Sequence, residues 1–307
     1  MKWKKLGLVY CANQNSSWQW SHAYVPTPIQ INNDTIRVFV SFLDKSKVGR
    51  IGFVDVSAES PLNVLNVSKE PSLDIGIDGT FDDNGVTPIS LVREEGQLRL
   101  YYAGWQLGVK SRYYLFSGLA IAEGDFSKFT RYSQAPLLDR KNDELFVRSA
   151  PIVFKEAHIW KMWYISGNTW ILDQGKLVPT YGLKYHESKD GLLWPNESRD
   201  VLTVDKNIEF GFGRPTIFKH ANKYKMIFSS RRHEVGYRLG YAESQDGISW
   251  TRMDSKVGLD VSETGWDSEM VCFASVIFVK DKVYLFYNGN NYGETGFGVA
   301  ELESWND

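Results

Sequence analysis

One strand signature recurs along this chain at a near-constant period, and few folds can absorb such a repeat. It reads Thr27-Pro28-Ile29-Gln30-Ile31, Thr87-Pro88-Ile89-Ser90-Leu91, Ala150-Pro151-Ile152-Val153-Phe154, Arg214-Pro215-Thr216-Ile217-Phe218 and Ala274-Ser275-Val276-Ile277-Phe278. The second residues of these copies, at positions 28, 88, 151, 215 and 275, are separated by 60, 63, 64 and 60 residues. A period of this length marks one supersecondary unit repeated in an array.

Within each unit a polar turn leads to a second strand rich in aromatic and β-branched residues, at 36–42, 98–105, 159–166, 223–230 and 282–289. A third strand follows, as at Gly182-Leu183-Lys184-Tyr185-His186 and Leu239-Gly240-Tyr241-Ala242-Glu243. It runs into Ser188-Lys189-Asp190-Gly191-Leu192-Leu193-Trp194 and Ser244-Gln245-Asp246-Gly247-Ile248-Ser249-Trp250, where Asp-Gly predicts a hairpin and Trp the start of a fourth strand. Four short antiparallel strands, five times over, predict an all-β protein: a five-bladed β-propeller occupying residues 1–307 as one domain.

The last repeat has a third strand at 296–302, and the sequence ends at Asp307 before a fourth. Trp3-Lys4-Lys5-Leu6-Gly7 resembles the missing strand, so the N-terminal segment is expected to pair into the last blade and close the ring, leaving no edge unprotected.

Net charge is −2 with both signs interspersed, so no basic face announces a nucleic acid or an anionic membrane. No apolar run reaches the length of a membrane span, and a cytoplasmic protein is expected. Cys11 and Cys272 lack metal-ligand spacing and read as reduced thiols; in that compartment the Asn-x-Ser triplets at Asn15, Asn66 and Asn196 carry no meaning. No metal and no cofactor motif is present: there is no phosphate loop, Gly-x-Ser-x-Gly elbow or His-Glu-x-x-His. A propeller core can hold most of the 11 Trp, 16 Tyr and 17 Phe; the excess is free to line a groove, where aromatic planes stack on the apolar faces of sugar rings, and the expected partner is a carbohydrate or sugar derivative.

In a propeller the inner strand of each blade lines the axis, so residues just before each signature gather at one mouth. Six positions before the second residue of each copy stand His22, Asp82, Leu145, Glu209 and Glu269. Paired carboxylates are what glycosidic cleavage needs: one protonates the leaving oxygen, the other activates water or attacks the anomeric carbon. Asp83, Glu209 and Glu269 are therefore the candidate catalytic acids, with Asp82 the substitute for its neighbour. Arg148 and Arg214 must be paired with acids or bind an anion. Arg231, Trp105, Trp170 and Asn288 are candidate groove wall beside Asn84, and His22 is a candidate acid or base.

The Ser-x-Asp-Gly-x-x-Trp hairpins and axial acids resemble the five-bladed propeller glycosidases of glycoside hydrolase families 32, 43, 68, 117 and 130. More narrowly, Phe81-Asp82-Asp83-Asn84-Gly85-Val86 and Trp266-Asp267-Ser268-Glu269-Met270-Val271-Cys272 look like a bacterial group labelled glycosyl hydrolase family 32-like. The resemblance implies a carbohydrate-active enzyme, a glycoside hydrolase or transglycosidase. Arabinanase-like members carry acids one or two residues before the inner-strand proline; here those slots hold Pro26, Thr27, Val86, Thr87, Ser149, Ala150, Gly213 and Arg214. Two alternatives stay open: a non-hydrolytic protein binding a sugar or nucleotide-sugar in surface polysaccharide assembly, and a scaffold for other proteins. The sugar, the linkage and the oligomeric state are not legible.

Overall fold

The computed structural model describes residues 1–14 and 16–305; Asn15 and the two C-terminal residues, including Asp307, lie outside the described residues. The chain is all-β apart from short helical turns. After β1 (Lys2–Tyr10), strands come in antiparallel meanders. The first unit is β2 (Ser21–Asn32), β3 (Thr35–Leu43), β4 (Gly49–Ser57) and β5 (Val64–Val67). The second is β6 (Val86–Glu94), β7 (Gln97–Leu107), β8 (Tyr113–Ala122) and β9 (Thr130–Arg131). The third is β10 (Val147–Glu156), β11 (Ile159–Asp173), β12 (Lys176–Ser188) and β13 (Arg199–Leu202). The fourth is β14 (Glu209–His220), β15 (Lys223–Arg232), β16 (Gly236–Ser244) and β17 (Thr251–Arg252). The last is β18 (Cys272–Val279), β19 (Lys282–Asn288) and β20 (Phe297–Ser304), to which β1 adds its outer strand antiparallel to β20, as Trp3-Lys4-Lys5-Leu6-Gly7 predicts.

Neighbouring units bury apolar side chains against each other. Phe39 and Phe53 of the first unit meet Leu100 and Tyr102 of the second, and Tyr101 of the second meets Trp160 and Met162 of the third. Phe218 and Tyr241 of the fourth meet Leu285 and Tyr287 of the last, which also packs Tyr284 and Phe286 against Val38 and Val54 of the first. The Asp-Gly hairpins act as bolts between units. In Ser244–Trp250 the Asp246 carboxylate accepts from the Ile248 and Ser249 N–H groups, at 2.8 Å each, and Gly247 sits at φ 79° where a side chain would strain. The Gly247 carbonyl then accepts from Trp250 at 2.9 Å and from Trp163 of the preceding unit at 2.7 Å. Gly191 is used likewise by Trp194 and Tyr101. Trp194 itself precedes β13 by several residues, because the longer loop at 194–198 must reach back before pairing begins.

Every inner strand carries a bulge where it nears its neighbours. Pairing stops at Tyr24, Pro88, Ser149, Gly213 and Cys272, opposite Ser41, Tyr102, Ile165, Ser229 and Asn288, and resumes displaced at Thr27, Ser90, Ile152, Thr216 and Ser275. Val25, Ala150 and Phe273 sit in these bulges at φ 56°, 51° and 53°, a costly conformation for residues with side chains. By this register the equivalents of Pro151 and Pro215 are Pro26, Ile89 and Ala274, not Pro28, Pro88 and Ser275. The extra residue is accommodated by the bulge and leaves no mark on the apolar pattern. No described helix is long and apolar enough to cross a membrane.

Candidate functional site

Arg214 occupies the centre, where the inner strands meet. It is buried with no carboxylate partner among the described residues, and it donates to the carbonyls of Ile89 (2.7 Å), Ala274 (3.1 Å) and Pro26 (3.2 Å), contributed by three units. Burial pulls its pKa down to about 9, so the guanidinium keeps its charge at neutral pH. Its donors are consumed by backbone carbonyls and the Ser275 and Thr27 hydroxyls, which makes it a plug rather than a ligand-binding arginine. A cavity of about 500 Å³ opens on the side where the inner strands end, with Arg214 at its floor and Leu91, Phe154, Ile217 and Val276 in its walls.

The buried acids of the leading segments do not share a cavity; each turns outward into its own unit. Asp82 accepts from Tyr102 (2.9 Å) on β7 and Arg131 (2.8 Å) on β9. Glu144 accepts from Tyr164 (3.0 Å) on β11 and pairs with Lys141 and Arg148 at 2.8 Å each. Glu209 accepts from Ser230 on β15 and is gripped by both terminal nitrogens of Arg252 on β17. Asp267 accepts from Tyr287 (2.9 Å) on β19 and from Lys5 (2.7 Å) on β1. The first unit has a neutral version, Gln19 donating to the Ser68 carbonyl beyond β5. One device thus ties the start of each inner strand to the strands outside it. The expectation of acids and arginines converging on the axis is corrected for Asp82, Glu209 and Arg148: each is buried and spent inside its unit, because an unpaired buried charge costs several kcal/mol. Leu145, at the matching count in the third unit, is exposed, and its neighbour Glu144 takes the buried place.

Asp83 and Glu269 reach solvent. Asp83 accepts from the Gly79 N–H at 2.9 Å, while Glu269 is held by its backbone, its N–H donating to Asn290 and its carbonyl accepting from Arg238, each at 2.8 Å. Among the described residues no hydrogen bond or ion pair links any two of Asp83, Glu209 and Glu269. Asn84 braces Trp105 through its backbone. Asn288 is fully buried rather than part of a wall: it accepts from the Val25 N–H (2.7 Å) and donates to the Ala23 and Gly296 carbonyls (2.8 Å each), fixing the first bulge. Burial drops the His22 pKa to about 4, so its ring is neutral at pH 7, with Ser21 Oγ 3.0 Å from Nδ1.

What the mouth does assemble is an aromatic wall beside a lone cation. Thr87 accepts from Trp105 Nε1 (3.0 Å) and hydrogen-bonds Tyr24 (3.1 Å); Trp105 packs on Tyr113 (5.3 Å between ring centres), Tyr113 on Trp170 (5.6 Å) and Trp170 on Phe146 (5.0 Å). Arg231 lies 4.8 Å over the Phe210 ring and has no ion pair among the described residues. Burial pulls its pKa down, but the negative charge that Tyr181, Tyr237, Tyr292 and Tyr113 carry once ionised outweighs that and raises it above the ordinary arginine value. The Tyr181 and Tyr237 hydroxyls stand 3.1 Å apart beside it. Counting from the repeat missed these tyrosines because Tyr113, Tyr181 and Tyr237 lie on third strands and Tyr292 in the β19–β20 connection; the acid–tyrosine pairs Asp82–Tyr102, Glu144–Tyr164 and Asp267–Tyr287, each 20 residues apart, were the available signal for the clasps. No described cluster of three or more His, Cys, Asp or Glu is arranged for a metal ion.

No protein-family model matches the chain. It is 33% identical over 304 residues to uncharacterized protein MT1551 of Mycobacterium tuberculosis (strain CDC 1551 / Oshkosh), covering 99% of this chain and 100% of the relative. The same figures hold for uncharacterized protein Rv1502 of Mycobacterium tuberculosis (strain ATCC 25618 / H37Rv). This protein belongs to their family. Among solved structures it resembles the complex of BT0996 with RGII (TM-score 0.73, 19% identity, 97% of this chain and 90% of that one). It also resembles a thermostable family-43 glycoside hydrolase (0.70, 15%, 94% and 90%). A structure from the GH130 family of mannoside phosphorylases, which contains hydrolases of β-1,2 mannosidic linkages in Candida mannan, is similar too (0.72, 14%, 97% and 93%). These likenesses establish the fold of the propeller glycosidases; at such identities they carry no activity across.

Proposed function

We propose that residues 1–307 form one closed five-bladed propeller and that the protein is a cytoplasmic, carbohydrate-active, glycosidase-like enzyme, nearest the family 32-like group. Its substrate is a sugar bearing an acidic or phosphoryl group. The observation that carries this reading is Arg231, a largely buried cation with phenols around it and no ion pair among the described residues, next to the Trp105–Tyr113–Trp170 wall. A desolvated guanidinium without a counter-ion favours an anionic ligand, and the indole and phenol faces suit a sugar ring.

In this reading Asp83 and Glu269 are the carboxylates free to act on the glycosidic bond, one as proton donor and one toward water. Glu209 keeps its place in the blade. The locked states of Asp82 and Glu209 favour a second reading, a non-hydrolytic protein that binds a sugar or nucleotide-sugar during surface polysaccharide assembly.

The test is calorimetric titration with uronic acids, sugar phosphates and their neutral parents, together with turnover of the matching glycosides. Arg231→Met should weaken the charged ligands by about tenfold or more and leave neutral ones unchanged. Equal affinity of wild type for charged and neutral sugars would sink the anion reading. Binding without turnover, unaltered by Asp83→Asn and Glu269→Gln, would select the second.

A further inference from the structure

The hairpin β11–β12 is longer than its counterparts. β10 accompanies it only as far as Gly167, yet pairing continues from Thr169↔Thr180 to Asp173↔Lys176. The extension therefore runs roughly 20 Å beyond Gly167, at about 3.3 Å per residue. Leu172 and Leu177 on it are 73% and 52% exposed. The β7–β8 hairpin rises alongside, joined to it through the Tyr113–Trp170 contact, and carries Leu107 (62% exposed) and Val109 (fully exposed). Lys110, Arg112 and Lys176 are exposed among these four apolar side chains, and none forms an ion pair among the described residues. Asp173, the acid at the tip, is engaged by His233 at 2.9 Å. The edge of the mouth is thus apolar and locally basic on a chain of net charge −2.

We propose that this edge docks on an anionic lipid bilayer, setting the aromatic mouth against the headgroup layer. Apolar side chains beside free lysine and arginine match the acyl boundary and the negative headgroups together, where neither set alone would give stable binding. A second copy fits less well: two-fold self-association would set Lys110, Arg112 and Lys176 against themselves. The expectation of no membrane partner came from charge averaged along the sequence, whereas two hairpins distant in sequence gather these residues in space. The proposal goes beyond the sugar reading and does not depend on it.

The test is co-sedimentation of the full chain with phosphatidylcholine vesicles, with and without about 30% phosphatidylglycerol, at low and high salt. Binding is expected to the anionic vesicles only, and to weaken with salt. The double variant Val109→Asp/Leu172→Asp, at exposed positions, should lower the partition coefficient about tenfold or more with an unchanged circular dichroism spectrum. Absence of co-sedimentation, or equal binding by the variant, overturns the proposal. So does a concentration-dependent dimer that the same variant disperses, which would assign the edge to a protein contact.

Discussion

Replacing Glu209 with Gln separates the two roles this residue can have. Its side chain is inaccessible to solvent, both oxygens face Arg252 and one also accepts from Ser230. Glutamine keeps the shape but turns an NH₂ toward the guanidinium, removing the charge-assisted bonds. Breaking a buried pair costs about 3–5 kcal/mol, but Arg252 would not be stranded, since Asp254 also pairs with it at 2.6 Å. A net loss of about 3 kcal/mol follows. With an unfolding entropy of roughly 2.1 cal/mol/K per residue, this lowers Tm by about 5 °C. Thermal unfolding by circular dichroism measures it, and a cycle with Arg252→Met should return a coupling of about 1–3 kcal/mol. An unchanged Tm combined with collapsed turnover would refute the clasp and restore Glu209 as a catalytic acid.

Arg214→Met should also destabilise, on the order of 3 kcal/mol, because the carbonyls of Pro26, Ile89 and Ala274 lose their common donor; sugar affinity should stay as in the wild type, and a matching loss of affinity would return Arg214 to the ligand site. His233 offers a pH test: Nδ1 faces Asp173 (2.9 Å) and Nε2 faces the Lys206 carbonyl (3.0 Å), two acceptors that only the imidazolium satisfies together. Its pKa is raised above 6.5, first by the Asp173 hydrogen bond, with the Lys206 carbonyl and the charges of Asp173 and Glu234 adding to it. The hairpin anchor is then fully present below pH 6.5 and is lost as pH rises through the folded-state pKa. Hydrogen-exchange protection factors at 171–178, in which the intrinsic pH dependence of exchange is divided out, should fall over that range and lose most of this pH dependence in Asp173→Asn; an identical profile in the variant would discount the anchor.

Repeat length, strand content, the Asp-Gly hairpins and the N-terminal strand were all legible because they depend on local pattern: β-branched and aromatic runs, turn residues, one Trp. The bulges were not, since an inserted residue at Val25 or Phe273 changes which side chain meets Ser41 or Asn288 without altering hydrophobicity. The acids were legible as acids but not as partners. What decides whether Asp82, Glu209 or Asp267 is spent or free is a cation 49, 43 or 262 residues away, on a strand whose own pattern announces only a blade edge. The tyrosines around Arg231 were hidden in the opposite way, each plausible as core until the strands crossed at the mouth. The acids just before each inner strand are therefore the ones most in demand for tying the strands of a unit together. Arg231, at the end of β15 beside them, has no ion pair among the described residues to hold it the same way.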